Sequence, residues 1–166
     1  MEVRSIEAIV KALNDAKVKY LVVGGLAVVA HGYERLTVDV DLVIGLEHEN
    51  ITRGLRSLSS AGWHMIIPVT PEQFADPLQR ESWRKEKNLV ALKLWSDLHK
   101  RTPIDVFVYE PFDFDREFKR AKWENIGGAL PAPIVSYEAL LAMKKEAGRE
   151  KDLLDIAALA KLDPYR

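Results

Sequence analysis

The 166-residue chain contains no cysteine, which excludes disulfides, thiolate zinc sites and a cysteine nucleophile together. No apolar run reaches the ~20 residues needed to span a bilayer. The amino terminus, MEVRSIEAIVKALND, sets acidic residues on a helical rhythm and lacks the basic region and continuous apolar core of a signal peptide. A cytoplasmic protein without membrane contact is therefore expected. Charge of one sign is missing too: 24 Lys+Arg against 25 Asp+Glu give a net charge of −1, so any basic surface must be local. The histidines His31, His48, His64 and His99 show no metal-ligand spacing. With 48% hydrophobic and 30% charged residues, the composition is that of a soluble globular domain, long enough to bury a core.

What is present is organised around Tyr20 to Ile44, YLVVGGLAVVAHGYERLTVDVDLVI. A short apolar run breaks at Gly24-Gly25, a helix-compatible segment follows, and a second apolar run carries Asp39 and Asp41. In a strand, alternate residues share a face, so the two carboxylates would lie roughly 7 Å apart at about 3.3 Å of rise per residue. At an effective dielectric near 20 they repel by about 2.5 kcal/mol, a cost that a divalent cation between them would remove. A solvated strand edge accounts for the same pair without a metal. Gly24-Gly25 permits a tight turn and close approach by a ligand, and a helix from about Leu26 to His31 would aim free N–H groups above it, which suits a phosphate. An ordinary strand-to-helix turn has the same spelling.

Along the chain, Ile6, Ile9, Val10 and Leu13 predict a helix over residues 5–16 with Ser5 near its cap. Residues 18–23 read as a strand, and Gly32 as the end of the helix after the glycine pair. Arg35 and Thr37 lead into the acidic strand, Arg35 free to meet a phosphate or a carboxylate. A helix is expected over 47–60, a strand over 64–69, and little regular structure over 70–88, where Pro71 and Pro77 fall. From Arg80 to Arg101 seven basic residues face three acids, either a polyanion surface or merely a solvated one. Residues 89–95 and 104–109 read as a hairpin. It places Asp105 among apolar neighbours, where a charge must be paired or metal-bound; Lys93 across the hairpin is the alternative partner. A helix over 113–122, a turn-rich link at Gly127-Gly128 and Pro131/Pro133, a Ser136-capped helix to Gly148 and a last helix over 150–161 burying Leu153, Leu154, Ile156, Ala157 and Leu159 complete the chain. Trp83 and Trp123 are read as core, or as a partner surface if exposed.

Val23-Gly24-Gly25, a thirteen-residue gap, Asp39-Val40-Asp41-Leu42 and then Ile104-Asp105-Val106 resemble the nucleotidyltransferase superfamily that includes DNA polymerase beta and the CCA-adding enzymes. GGLAVVAHGYERLTVDVDLV followed by MKKEAGREKDLLDI is similar to small prokaryotic nucleotidyltransferases of the abortive-infection toxin type. The chain departs from the larger toxins and the CCA-adding enzymes in ending soon after that helix. The resemblance implies a nucleotidyltransferase fold of the α/β (α+β) class, a mixed β-sheet flanked by helices with a C-terminal helical segment. It implies one domain over 1–166, with a core of about 1–125 and helices at about 136–162. It implies Asp39, Asp41 and Asp105 as catalytic residues holding two Mg²⁺ ions (or Mn²⁺), Asp105 also taking the acceptor's proton. Gly24, Gly25, Arg35, Thr37, Lys144, Arg149, Lys151 and Asp152 would bind the nucleotide or support the acids. The expected partners are an NTP and an acceptor RNA, tRNA among them, or a partner protein, in a toxin–antitoxin or phage-defence setting. The alternative is a nucleotide-binding partner module of the antitoxin type with little turnover.

Overall fold

The computed structural model describes residues 1–128 and 130–162; the last four positions of the expected domain, 163–166, lie outside the described residues. Helix α1 (Val3–Asp15) buries Ile6, Ile9, Val10 and Leu13 along one stripe. Its cap position is Glu2, and Ser5 lies inside the first turn, where its hydroxyl meets His99 Nδ1 at 2.9 Å. Strand β1 (Tyr20–Val23) is buried at every position and runs directly into α2 (Gly24–Ala30). Strand β2 (Val40–Ile44) follows, then α3 (His48–Ser60), capped by the Glu47 carboxylate, which accepts from the Glu49 and Asn50 N–H groups.

The strand expected over 64–69 is shorter, β3 (His64–Met65). Residues 70–88, expected to be irregular, form two helices, α4 (Pro71–Ala75) and α5 (Pro77–Lys87). Both prolines occupy first-turn positions, where a missing N–H costs nothing. Thr70 with Gln73 makes a capping box, Asp76 caps α5, and Asn88 closes it in the left-handed region at φ 52°. Phe74 and Trp83 seal these helices, buried edge-to-face at 6.0 Å between ring centroids.

Strands β4 (Ala91–Trp95) and β5 (Ile104–Phe107) form the expected antiparallel hairpin. After α6 (Phe114–Arg120), the turn-rich link contains a second antiparallel pair, β6 (Lys122–Asn125) and β7 (Pro131–Ile134). Helix α7 (Tyr137–Ala147) starts at Ser136, whose hydroxyl accepts from the Ala139 N–H, and stops at left-handed Gly148. It packs on α2 and on α8 (Glu150–Leu162).

The seven strands form one mixed sheet in the order β3-β4-β5-β2-β1-β7-β6. Its centre positions the site. β1 runs antiparallel to β2 with Val23 opposite Asp41, and β2 runs parallel to β5 with Asp41 level with Asp105. The glycine turn, the acidic strand and the later aspartate therefore meet at one end of three adjacent strands. The chain thus has a mixed sheet flanked by helices, with a C-terminal helical pair.

Candidate active site

Asp41 lies on β2, Asp39 just before its first residue, and Asp105 on the neighbouring β5. One carboxylate oxygen from each lies within 4.8 Å of the others, and all three side chains are partly buried. The aspartates from two distant segments thus form a cluster. Burial, and then the charges of Asp39 and Asp105, push the Asp41 carboxyl up to about 6, although the Gly25 N–H donates to it and the Lys151 charge opposes the rise.

The glycine pair fits tightly over this cluster. Gly24 adopts φ +62°, and a Cβ there would overlap the Asp41 carboxylate. A Cβ on Gly25 would overlap the Thr37 hydroxyl and approach Arg35 Nη2 at 3.1 Å. Thr37 in turn donates from its hydroxyl to the Asp39 carbonyl at 3.4 Å. The Arg35–Asp39 segment is thereby folded back over the turn.

The second half of the site comes from α7 and α8. Lys144 is buried, its Nζ 3.1 Å from Asp152 Oδ1 and 2.7 Å from Asp155 Oδ2. Arg35 Nε lies 2.8 Å from Asp155 Oδ1, and Arg149 Nε 2.7 Å from Asp152 Oδ2. The Arg149 and Lys144 hydrogen bonds hold the Asp152 carboxyl below its usual value against the effect of burial, and the same Asp152 bond raises the Arg149 guanidinium further. Arg149 also feels the charges of Asp41 and Asp39, and exposed Lys151 feels that of Asp41. Arg35 and Thr37 therefore lie beside Gly25, Arg149 and Lys151 lie within electrostatic reach of the acids, and Lys144 and Asp152 join an ionic network with Asp155 and the two arginines. Asp155, one turn beyond Asp152 and expected only to solvate the helix end among the late charges, is the buried anchor of Arg35. Its i, i+3 spacing from Asp152 on an amphipathic helix was the available signal.

Lys93 does pair with Asp105, Nζ to Oδ1 at 2.8 Å. Most of the nearby basic stretch is also engaged within the fold. Arg80 donates to the Phe74 carbonyl at 2.7 Å, the Arg84 guanidinium lies 3.5 Å over the Tyr109 ring, and Lys85 bridges to Glu81. Trp83 is core, and Trp123 is half exposed against Phe118.

No protein-family model matches the chain, and no curated protein matches it in sequence. Solved structures do. The antibiotic-resistance factor ANT(2'')-Ia is 14% identical, with a TM-score of 0.59 over 96% of this chain and 82% of that one. The lincosamide antibiotic adenylyltransferase LnuA, bound to lincomycin, is 17% identical at a TM-score of 0.54, covering 94% of each chain. An antigenic nucleotidyltransferase-like protein from Paracoccidioides brasiliensis is 19% identical at 0.55, over 97% of this chain and 76% of that one. At these identities the likeness is one of fold: the chain has the fold of nucleotidyltransferases. No helix among the described residues is long and apolar enough to cross a membrane.

Proposed function

We propose that the chain is a metal-dependent nucleotidyltransferase, a single domain with a core of about residues 1–125 and C-terminal helices at about 136–162. It would transfer a nucleoside monophosphate from an NTP to an acceptor hydroxyl. The observation that carries this reading is the meeting of Asp39, Asp41 and Asp105 beneath Gly24-Gly25. The donor set suits a hard divalent ion, since it offers carboxylate oxygen alone and gathers three acids within 4.8 Å. Mg²⁺, with Mn²⁺ as the alternative, would be held by Asp39, Asp41 and Asp105, and two ions follow from the family resemblance. When bound, such ions neutralise charge on the reacting phosphate and activate the attacking oxygen.

The chain's own groups have separable tasks. Asp105 stands to accept the proton of the acceptor hydroxyl as its oxygen bonds to the α-phosphorus. The bond from that phosphorus to pyrophosphate breaks as the new one forms. Gly24 and Gly25, lacking a Cβ, let the Asp41 carboxylate and the Thr37 hydroxyl pack directly against the turn, whose backbone N–H groups would meet the phosphates. Arg35, Arg149 and Lys151 supply positive charge for the departing pyrophosphate. Asp155 and Asp152 hold the two arginines in place, and buried Lys144 joins those acids.

The acceptor we favour is an RNA, tRNA among the candidates, or a partner protein, in a cytoplasmic toxin–antitoxin or phage-defence pair. Support comes from the sequence resemblance at both the glycine–aspartate stretch and the late MKKEAGREKDLLDI segment. A fold neighbour described as a lincosamide antibiotic adenylyltransferase, and ANT(2'')-Ia in complex with an adenylylated tobramycin, support monophosphate transfer in general. A second reading, a nucleotide-binding partner module with little turnover, is favoured by Lys93, whose ion pair engages the carboxylate assigned to proton transfer. One experiment separates them. The protein is incubated with each α-labelled NTP, Mg²⁺ and total cellular RNA or protein, beside an Asp39→Ala/Asp41→Ala control. Label transferred by the wild type alone identifies donor and acceptor class. Equal label in both, with nucleotide still bound, leaves the binding module.

A further inference from the structure

Lys93 is the charged neighbour of the acid cluster for which the transfer reaction itself has no use. It lies opposite Asp105 in the β4–β5 register, so strand pairing, rather than a flexible loop, fixes the partnership. Its ammonium is 2.8 Å from Asp105 Oδ1, and its side chain is 43% exposed, with solvent to move into. Its charge also interacts with Asp39 and Asp41. The other cations at the site are held differently: Arg35 by Asp155 and Arg149 by Asp152. Among the described residues, Lys93 is the cation bridged directly to one of the three clustered acids.

We propose that Lys93 is a tethered counter-ion of the three-aspartate cluster: its ammonium holds a cation's place beside Asp105 and is displaced when a divalent ion enters. The inference rests on the metal-holding reading above and specifies how that site is regulated. Three carboxylates within 4.8 Å repel one another strongly in a partly buried setting, and the lysine relieves that repulsion while no metal is present. With Lys93 beside Asp105 the cluster is left at −2, so a first divalent ion on Asp39 and Asp41 would complete neutralisation, and only an ion taken up by Asp105 must displace the ammonium. A second leaves the cluster positively charged until a polyphosphate arrives. The nucleotide-free chain therefore takes up divalent ions weakly on the Asp105 side, and full loading is coupled to the arrival of the triphosphate. A free carboxylate triad, still at −1 after its first ion, would draw the second in more readily.

The test is a Mn²⁺ titration of nucleotide-free protein, read by calorimetry and by the electron paramagnetic resonance of unbound ion. Wild type is compared with Lys93→Met, which keeps the apolar stem and removes the charge, and with Lys93→Arg, which keeps it. An Asp39→Asn/Asp41→Asn variant supplies the background. Lys93→Met should bind Mn²⁺ at least ten-fold more tightly than wild type, with Lys93→Arg near wild type. Equal affinity in wild type and Lys93→Met, both above background, overturns the counter-ion role and leaves the metal reading standing. Binding at background in both overturns the two together. Should Lys93→Met fail to fold, wild type decides: the Lys93 side-chain NMR signal, assigned by its loss in Lys93→Arg, must move toward that of a solvated lysine on adding Mg²⁺. A signal that stays put overturns the proposal.

Discussion

The Asp41 carboxylate occupies the space that a side chain on Gly24 would need. This relationship ties the turn after β1 to the acidic strand β2, with Val23 and Asp41 as register partners. It also converts the glycine from a conformational convenience into a requirement of the site.

Gly24→Ala should therefore abolish nucleotide transfer, by a hundred-fold or more, because the methyl group displaces Asp41. Gly148→Ala is the matched control. Gly148 has nearly the same φ, +60° against +62°, but its nearest atom to an added Cβ is at an ordinary 3.6 Å. Both variants bear the left-handed backbone cost of about 1–2 kcal/mol, read by urea unfolding. Equal activities for the two would mean that backbone strain, and not the carboxylate, explains the glycine.

That contact also marks how far the sequence was legible. The order glycine pair, paired aspartates, third aspartate is written in local spelling, and alternation predicts that Asp39 and Asp41 share a strand face. Strand adjacency is not local: that β2 and β5 lie side by side in parallel register depends on the whole sheet. Helices α4 and α5 are not legible in the sequence because a proline spells a break and a helix start alike, and Pro71 and Pro77 stand at helix starts. Strands β6 and β7 were missed because KWEN is exposed throughout and PAPI carries two prolines, so neither shows the apolar alternation of a strand. Lys93 remained an open alternative, since a ligand-free acid and an ion-paired one have the same sequence.

The pH dependence of stability should betray Asp41. Its carboxyl titrates near 3.8 in the unfolded chain and about 6 in the folded one, so the folded state binds the proton more tightly. Its contribution is fully present below pH ~4 and is lost as pH rises through about 6. At about 1.4 kcal/mol per tenfold change in proton affinity, the loss is on the order of 3 kcal/mol. Asp41→Asn cannot lose a proton. In EDTA it should gain on wild type by that order between pH 4 and pH 7.5 in urea unfolding, and Mg²⁺ should narrow the gap by stabilising only wild type. A pH-independent difference between the two proteins would refute the shift.

The Lys144–Asp155–Arg35 link should behave unlike the surface pairs. Asp155 is 2% exposed and Lys144 nearly as buried, and removing one member of a buried pair costs about 3–5 kcal/mol. Asp155→Ala should lower unfolding stability by that order. Lys85→Ala, which breaks an exposed pair with Glu81, should stay within about 0.5 kcal/mol. Arg35 is anchored by Asp155, so nucleotide affinity should fall in Asp155→Ala and in Arg35→Gln, but by no more in the double variant than in either alone. Additive losses would detach Asp155 from the site.

Helix α8 was expected to bury Leu153 and Leu154, yet these are 57% and 62% exposed, and the inward stripe is Asp152, Asp155 and Leu159. Apolar periodicity misplaced the helix because its buried face is largely ionic, drawn inward by Lys144 and Arg35. A substitution series reads this orientation directly. Leu153→Ser and Leu154→Ser should leave unfolding stability within about 0.5 kcal/mol of wild type, whereas Leu159→Ala should cost about 2–5 kcal/mol as a buried truncation. The reverse ranking would rotate α8 about its axis. It would carry Asp152 and Asp155 away from Lys144, and with them the support beneath Arg35 and Arg149.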